Sequence, residues 1–254
     1  MWAISGGITA PQGFRAAGVA CGIKAKGGLD LALIVSDTPA SAAAVFTTNK
    51  AIAAPVIVSR RQLAASGGRV SAVVVNSGCA NACTGPDGLA HAASMTALTS
   101  AALGCEPSAV LVASTGVIGV KLDMTKVQSG ITSASAALAR TGGGDAALAI
   151  MTTDPFPKEA SVEVETPAGN FRVGGIAKGS GMIEPNMATM LGFVTIDAHL
   201  EPALLQRALK AAVDDTFNAI TVDGECSTND CVFALANGAS AVRLGDSEYG
   251  VLVE

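Results

Sequence analysis

The sequence is poor in the residues that most enzymes use for acid–base and metal chemistry. Of its 254 residues only two are histidine, one is tryptophan and one is tyrosine. His91 and His199 are predicted to be surface or core residues, and no G-x-S-x-G motif accompanies them, which argues against a Ser-His-Asp triad. The six cysteines form no C-x-x-C pair and have no neighbouring histidine. We therefore predict reduced, buried thiols and no metal site.

Charge is also scarce. Charged residues make up 15% of the chain, hydrophobic residues make up 50%, and the net charge is −5. This composition excludes a disordered chain and gives no basic footprint for nucleic acid. The sequence contains no apolar run of about 18 residues and no signal-peptide pattern at its start. We expect a cytoplasmic protein with neither nucleic-acid nor membrane partners.

Hydrophobic periodicity predicts a mixture of strands and helices. Strands are predicted at 29–35, 43–47, 55–59, 70–75, 109–113, 160–165, 171–177, 190–196 and 232–235. Helices are predicted at 88–103, 124–139 and 202–217, and the glycine run at 141–145 is predicted to be a loop. The result is a layered α/β or α+β fold without the regular βαβ alternation of a Rossmann domain. The sequence stops within the apolar run 251–253, which suggests a fragment of a longer protein.

Two glycine-rich runs do not match the known nucleotide-binding loop motifs. GGIAKGSG has glycine where a Walker A motif has Ser or Thr after the lysine, and GSGMIE lacks the third glycine of a dinucleotide fingerprint.

Without a histidine base, a nucleophile has to supply its own. An N-terminal threonine does so, because its α-amine, with a pKa of about 7.7–8.0, accepts the hydroxyl proton. In EPNMATMLGF, Thr189 would gain that amine if its hydroxyl attacked the Ala188 carbonyl and water cleaved the resulting ester. From these residues alone, an ordinary buried strand is the alternative.

Seven segments in a fixed order carry a family resemblance. In chain order they are GITAPQGFRAAGVACGIK, VFTTNKAIAAPV, VVVNSGCANACTG, LVASTGVIGVKL, AIMTTDPFPKEA, KGSGMIEPNMATMLGFVTIDA and DGECSTNDCVFALANG. The sixth resembles the cleavage segment of the ArgJ family of glutamate N-acetyltransferases and ornithine acetyltransferases, and the others resemble further segments of that family. The resemblance covers about residues 7–238. Cys79 departs from it, since the family pattern leads us to expect Asn or Gly there.

The resemblance implies an N-terminal-nucleophile-like fold of the ArgJ/DmpA type, an α/β (α+β layered) structure with sheets packed between helices. It implies one ArgJ-like domain over 1–254, incomplete at its C-terminus and cut between Ala188 and Thr189. Residues 1–188 would form the α chain and 189–254 the start of the β chain, within an α2β2 heterotetramer of the full-length protein. It implies no cofactor.

The resemblance also implies the roles of individual residues. Thr189 would be the nucleophile, taking acetyl from N-acetylornithine, with acetyl-CoA as a second possible donor, and passing it to glutamate in arginine biosynthesis. Thr115 and Gly116 would stabilise the oxyanion from a glycine turn after a strand. Thr152, Lys178 and Thr189 would bind substrate. By its own chemistry, Lys178 is suited to a substrate carboxylate or to depressing the pKa of the Thr189 amine.

Asn76, Asn81 and the run 227–230 are dense in short polar side chains. Such side chains can line the site, or they can tie loops through hydrogen bonds to nearby backbone, and we predict the loop-tying role for most of them. Thr153 and Asp154 carry no predicted role.

Three alternatives stay open at this stage. No residue decides whether acetyl-CoA is used, and an assay with acetyl-CoA as sole donor would separate the bifunctional from the monofunctional enzyme. A self-cleaving aminopeptidase or amidase of the related fold would use water as acceptor, although such relatives typically have serine at the position of Thr189. An uncleaved, non-catalytic module is the third alternative.

Overall fold

A computed structural model describes residues 1–182 and 190–253. Ala188 and Thr189 lie outside the described residues, so the structure does not test the predictions made for them. The described strands are β1 Trp2–Ala3, β2 Phe14–Val19, β3 Leu31–Phe46, β4 Arg69–Cys79, β5 Val110–Val117, β6 Lys158–Thr166, β7 Gly169–Lys178, β8 Leu191–Ile196 and β9 Cys231–Ala236. The described α-helices are α1 Ala54–Ala65, α2 Gly85–Leu103, α3 Met124–Ala136, α4 Gly143–Ala149, α5 Pro202–Asp215 and α6 Tyr249–Val253.

All of these strands join one sheet, in the order β1-β6-β7-β8-β9-β3-β4-β5, with β2 paired to β3. Most neighbours are antiparallel, whereas β4–β5 and β8–β9 are parallel. The sixteen-residue β3 joins the two halves: its first part pairs with β2 and β4, and its second part pairs with β9.

The three largest hydrophobic clusters of the described residues show how the layers are arranged. Alternate residues of β3, β4 and β5 face α1, α2 and α3, and alternate residues of β3, β8 and β9 face α5. The remaining inward residues of both halves share one central core, which includes Leu111, Phe193 and Phe233. The sheet is therefore bent around this core and has helices outside each half, which confirms the predicted layered class with sheet packed between helices.

The three predicted helices are confirmed, with bounds that differ by two or three residues. Helix α5 shows why the pattern was readable, because Leu204, Leu205, Leu209 and Val213 are buried on one face. Pro202 begins that helix, where its missing N–H costs no hydrogen bond.

Three predictions of local structure are wrong. The segment 55–59 belongs to helix α1, which begins beside Pro55; a short apolar run fits a buried helix as well as a strand. The predicted strands 29–35 and 43–47 are one strand, because the polar stretch between them is a register shift between Val35 and Ala40 rather than a turn. The predicted loop 141–145 includes the start of α4, whose Ala146, Ala147 and Ala149 are buried.

In the part of the chain that the structure describes, no helix is both long and apolar enough to cross a membrane.

The contact between β2 and α4 leaves no room for a side chain at Gly18. A Cβ there would lie 2.0 Å from the backbone oxygen of Asp145. We expect Gly18→Ala to lower the free energy of unfolding by about 1–3 kcal/mol, the usual cost of overpacking. Denaturant unfolding of the protein measures it.

The matched control is Gly144→Ala, on the exposed side of the same helix α4. A Cβ at Gly144 meets no atom within 4 Å. Since alanine favours a helix over glycine, this variant should gain about 0.5–1 kcal/mol. Equal effects of the two substitutions would contradict the packing described.

Candidate active site

Lys178, the last residue of β7, lies at the centre of the candidate site. Only 4% of the surface of Lys178 is exposed to solvent. Its ammonium donates to the Thr115 hydroxyl at 3.1 Å and to the Thr152 hydroxyl at 2.7 Å. The structure thus brings together three of the residues that the family resemblance assigned to the site.

The bend of the sheet creates this contact. Strands β7 and β5 are five steps apart in the strand order, and in a flat sheet five steps of about 4.8 Å would separate them by about 24 Å. The direct hydrogen bond between Lys178 and Thr115 is possible only because the two halves fold over the shared core.

The surroundings of Lys178 lower the pKa of its ammonium. Burial lowers the pKa of its ammonium below the ordinary value, against the opposing influence of the Asp154 and Asp230 carboxylates. Lys24 and Lys158 lower it further through like-charge repulsion. The site therefore holds a desolvated cation, which interacts more strongly with an anion than an exposed lysine does.

Thr115 and Gly116 lie within the last part of β5, not in a turn after it. Gly116 is aligned with Gly78 of the parallel strand β4. Its φ is 130°, and a Cβ there would lie 2.4 Å from the carbonyl carbon of Gly78. Glycine is required at Gly116 by the backbone angle and by this close approach of two strands.

The direction of the hydrogen bond at Thr115 has a chemical consequence. An ammonium has donors only, so the Thr115 oxygen accepts from Lys178 and its own hydroxyl proton is free to be donated. Donation from a charged group also polarises the hydroxyl and strengthens it as a donor. The Thr115 hydroxyl is thus suited to bind a developing negative charge.

Asp154 is a site residue that the sequence reasoning passed over. Its side chain is fully buried and accepts from the ammonium of Lys158 and from the backbone N–H of Gly179, at 2.5 and 2.7 Å. It also accepts from the N–H of Thr152 at 3.3 Å. One carboxylate therefore fixes Thr152 and the residue after Lys178. The i, i+4 spacing of Asp154 and Lys158 was the available sequence signal.

The charge state of Asp154 follows from these contacts. Burial by itself raises the pKa of the carboxyl group. The hydrogen bonds from Lys158, Gly179 and Thr152, together with the Lys178 charge, outweigh burial and hold the pKa below its ordinary value. Asp154 is therefore an anion that favours the charged form of Lys178.

The predicted loop-tying role is confirmed for the asparagines. The Asn229 amide donates to the backbone oxygens of Ala80 and Ser114, at 2.6 and 2.9 Å. Asn76 bonds to the hydroxyl of Ser114 and to the backbone of Cys79, and Asn81 donates to the backbone of Gly88. These bonds hold the ends of β4 and β5 in place beside the site.

Met190, which follows Thr189 in the sequence, is anchored at the start of β8. Its N–H donates to the carboxylate of Asp230 at 2.8 Å, and its carbonyl accepts from Cys231 at 3.3 Å. Asp230 is 1% exposed and raises the pKa of Lys178.

An open cavity of about 1080 Å³ lies over these residues. Thr115, Gly116, Thr152, Lys178 and Asn229 all line it. Neither histidine is among its described lining residues, and a second cavity, of about 440 Å³ beside Phe156, contains none of the predicted site residues. Across residues 1–182 and 190–253, no three His, Cys, Asp or Glu side chains are grouped as metal ligands.

Comparison with known proteins identifies the family. A sequence model of the ArgJ family matches residues 15–252. The chain belongs to the ArgJ family. It is 54% identical over 251 residues to the arginine biosynthesis bifunctional protein ArgJ of Symbiobacterium thermophilum, which covers 97% of this chain and 62% of the relative. The chain thus spans about three fifths of the length of the curated ArgJ proteins that it matches.

Solved ArgJ-family structures agree with the fold. The chain matches the crystal structure of ArgJ from Bacillus halodurans with a TM-score of 0.69 and 40% identity, over 74% of this chain and 97% of that one. It matches the ornithine acetyltransferase of Mycobacterium tuberculosis, solved in complex with ornithine, with a TM-score of 0.64 and 43% identity, over 70% and 94%. An aminopeptidase from Ochrobactrum anthropi, a variant of the Ntn-hydrolase fold, shares the fold at 16% identity with a TM-score of 0.57, over 91% and 73%.

The electrostatic coupling at the site can be measured without any assay of activity. Competitive labelling with acetic anhydride across a pH series should give Lys178 a pKa below the ordinary lysine value, because its ammonium is buried. Asp154→Asn should lower the pKa of Lys178 further, since a nearby negative charge is lost. The labelled peptides are quantified by mass spectrometry.

Two controls define this experiment. Asp145→Asn removes an exposed carboxylate from α4 and should leave Lys178 unchanged. Lys121, whose pKa is raised by its bond to Asp87, serves as the internal reference. Co-titration of Lys178 with Lys121 in the wild type would show that the ammonium is not desolvated.

Proposed function

We propose that the complete ArgJ-family protein containing this chain is an acetyltransferase of arginine biosynthesis. It moves acetyl from N-acetylornithine to glutamate through an ester on Thr189. Support comes from the family membership, from 54% identity to a protein named for arginine biosynthesis, and from 43% identity to an ornithine acetyltransferase solved with ornithine.

One observation carries the proposal: the buried Lys178 ammonium donates to the Thr115 hydroxyl, beside Gly116, at the wall of the cavity. Acyl transfer builds negative charge on a carbonyl oxygen, and two preset donors lower its barrier. We assign the two donor roles to the Thr115 O–H, which Lys178 frees to donate, and to the Gly116 N–H.

The first half of the proposed reaction loads the enzyme. The Thr189 hydroxyl oxygen bonds to the acetyl carbon of N-acetylornithine while the Thr189 α-amine takes the hydroxyl proton. Thr115 and Gly116 stabilise the oxyanion. The bond from the acetyl carbon to nitrogen then breaks, and the proton passes from the α-amine to the departing amine of ornithine.

The second half repeats these steps with glutamate as the nucleophile. Its amine attacks the ester carbon, and the Thr189 oxygen leaves and recovers a proton through the α-amine. Lys178 supports both halves, because its remaining N–H is suited to a substrate carboxylate. As a like charge it also lowers the pKa of the Thr189 amine, which favours the neutral form that accepts a proton.

Cleavage before Thr189 is supported by the sizes of the matches. The two solved ArgJ-family chains are covered over 97% and 94% of their lengths by only 74% and 70% of this chain. Residues 1–188 are also about three quarters of the sequence. A solved chain that ends near the Ala188–Thr189 bond would give matches of this size.

The fold would hold the two products of cleavage together. Strand β7 precedes the bond and β8 follows it, and they pair from Lys178 opposite Leu191 to Val173 opposite Ile196. Strand β9 adds a second ladder to β8. The two fragments would therefore share one sheet and one core.

The hydrolase alternative has less support. Likeness to the Ochrobactrum anthropi aminopeptidase is one of fold, at 16% identity. In a hydrolase, water would accept the acetyl group, so release of free acetate from N-acetylornithine with no amine acceptor present would favour it.

The cleavage step is tested by the intact mass of the complete protein. We expect the wild type to split between Ala188 and Thr189, with a second chain that begins Thr-Met-Leu-Gly. Thr189→Ala should remain whole, because no hydroxyl is left to attack the Ala188 carbonyl. The wild-type fragments should co-elute until they are denatured.

Thr189→Ser is the matched control, since it keeps the hydroxyl and should still split. A Thr189→Ala protein that splits at the same bond would exclude self-cleavage by this side chain.

The oxyanion role is tested at Thr115. Thr115→Val keeps the shape but removes the O–H donor, and we expect a loss of about 10²–10³ in the rate of Thr189 acetylation by N-acetylornithine. Rapid-quench mass spectrometry of the cleaved enzyme gives this rate.

Thr115→Ser retains the donor and should lie within about tenfold of the wild type, since only a methyl group is lost. If serine is as slow as valine, the hydroxyl is not the group that matters.

A further inference from the structure

The charged side chains that line the cavity have a sign opposite to the net charge of the chain. The net charge of the sequence is −5, yet Lys24, Lys26 and Lys178 line the cavity and no carboxylate is among its described lining residues. Lys178 already has an assigned role. The other two lysines therefore give this cavity a positive charge that the transfer chemistry alone does not explain.

Both lysines lie on one segment, residues 21–28, which we name the lysine loop. The buried Asp30 organises it: one carboxylate oxygen accepts from the N–H of Cys21 at 2.7 Å, and the other accepts from Ile23 and Lys24 at 2.6 and 3.0 Å. The Lys24 ammonium donates to the Leu29 carbonyl at 2.5 Å. The loop is thus fixed by its own hydrogen bonds.

The lysine loop packs directly against β4, the strand paired with the β5 segment that carries Thr115 and Gly116. A Cβ on Gly78 would lie 3.1 Å from the backbone nitrogen of Lys24. Gly78 is in turn aligned with Gly116 across β4 and β5. The loop therefore lies beside the β4 residue that is aligned with Gly116, the second proposed oxyanion donor.

Lys24 and Lys26 differ in burial and in the contacts that they already make. Lys24 is partly buried, and burial lowers its pKa while Asp30 and Asp154 act against this. Lys26 is exposed at the cavity, and none of the ion pairs among the described residues includes it. An anion in the cavity would find one fixed ammonium and one free to reach it.

The substrates of the proposed reaction differ at the end of the side chain, where ornithine has an ammonium and glutamate has a carboxylate. We propose that the lysine loop is the subsite for the side-chain carboxylate of the acidic acceptor, with Lys24 and Lys26 as its cations. This inference rests on the proposed function. It assigns the loop to acceptor choice, because a cationic subsite attracts glutamate and repels ornithine.

The acetylated complete enzyme provides the test. The acetyl group on Thr189 can pass forward to glutamate or back to ornithine, so one intermediate is offered to two acceptors. The ratio of the two second-order rate constants, glutamate over ornithine, measures selectivity independently of how fast the enzyme was loaded. Damage to the fold would slow both acceptors together.

We expect Lys26→Met to lower this ratio by about fivefold, the upper range for one exposed ion pair. Lys24→Met together with Lys26→Met should lower it further, and Lys26→Arg should restore most of it. Lys210→Met, which removes an exposed lysine on α5 paired with Asp214, should leave the ratio unchanged.

An unchanged ratio in the double variant would overturn the inference, whether the two acceptors keep their rates or slow equally. If loading from acetyl-CoA is slower in that variant as well, the lysines belong instead to the phosphates of that donor.

Failure of the proposed function is distinguishable. If the wild type forms no acetyl adduct with N-acetylornithine, the proposed function is contradicted, and calorimetric binding of glutamate then tests the loop. In that case the Kd for glutamate should rise in the double variant but not in Lys210→Met, and an equal Kd in all three proteins would overturn the inference.

Discussion

A lysine ammonium withdrawn almost completely from water is the constraint on which the rest of this structure depends. Desolvating a charge is costly unless hydrogen bonds and an opposite charge offset the loss. Lys178 meets this condition through the hydroxyls of Thr115 and Thr152 and the charge of Asp154. Thr115 lies five strands away in the sheet order, so the contact requires the bent sheet and its shared core.

The same ammonium connects the chemistry of the site to its architecture. Because Lys178 occupies the Thr115 oxygen as a donor, the hydroxyl proton is available beside the Gly116 N–H. Asp154 holds Thr152 and the residue after Lys178, and Asp230 anchors Met190 on the neighbouring strand. The proposed cleavage would occur between paired strands β7 and β8, so it would create an amine without dispersing the donors around it.

The hydrophobic periodicity of the sequence predicted most helices and strands of this molecule. Most features that it did not predict depend on contacts between residues far apart in the sequence. Helix α5 was readable because its buried face repeats with helical spacing, whereas the apolar start of α1 fits both periods. The family resemblance named Thr115, Thr152 and Lys178, but no spacing in the sequence indicates that two strands five positions apart meet. Asp154 was missed because its role depends on Gly179, twenty-five residues away. The cleavage between Ala188 and Thr189 and the nucleophilic role of Thr189 stay predictions.

The most direct measurement is a crystal structure of the complete protein with acetyl trapped on Thr189, prepared with N-acetylornithine in the absence of an acceptor amine. We expect the acetyl carbonyl oxygen within about 3.2 Å of both the Thr115 hydroxyl and the Gly116 nitrogen. The Lys178 ammonium should still bridge Thr115 and Thr152. An ester oxygen that points away from β5, or a Lys178 that has left Thr115, would contradict the central role given to this buried cation.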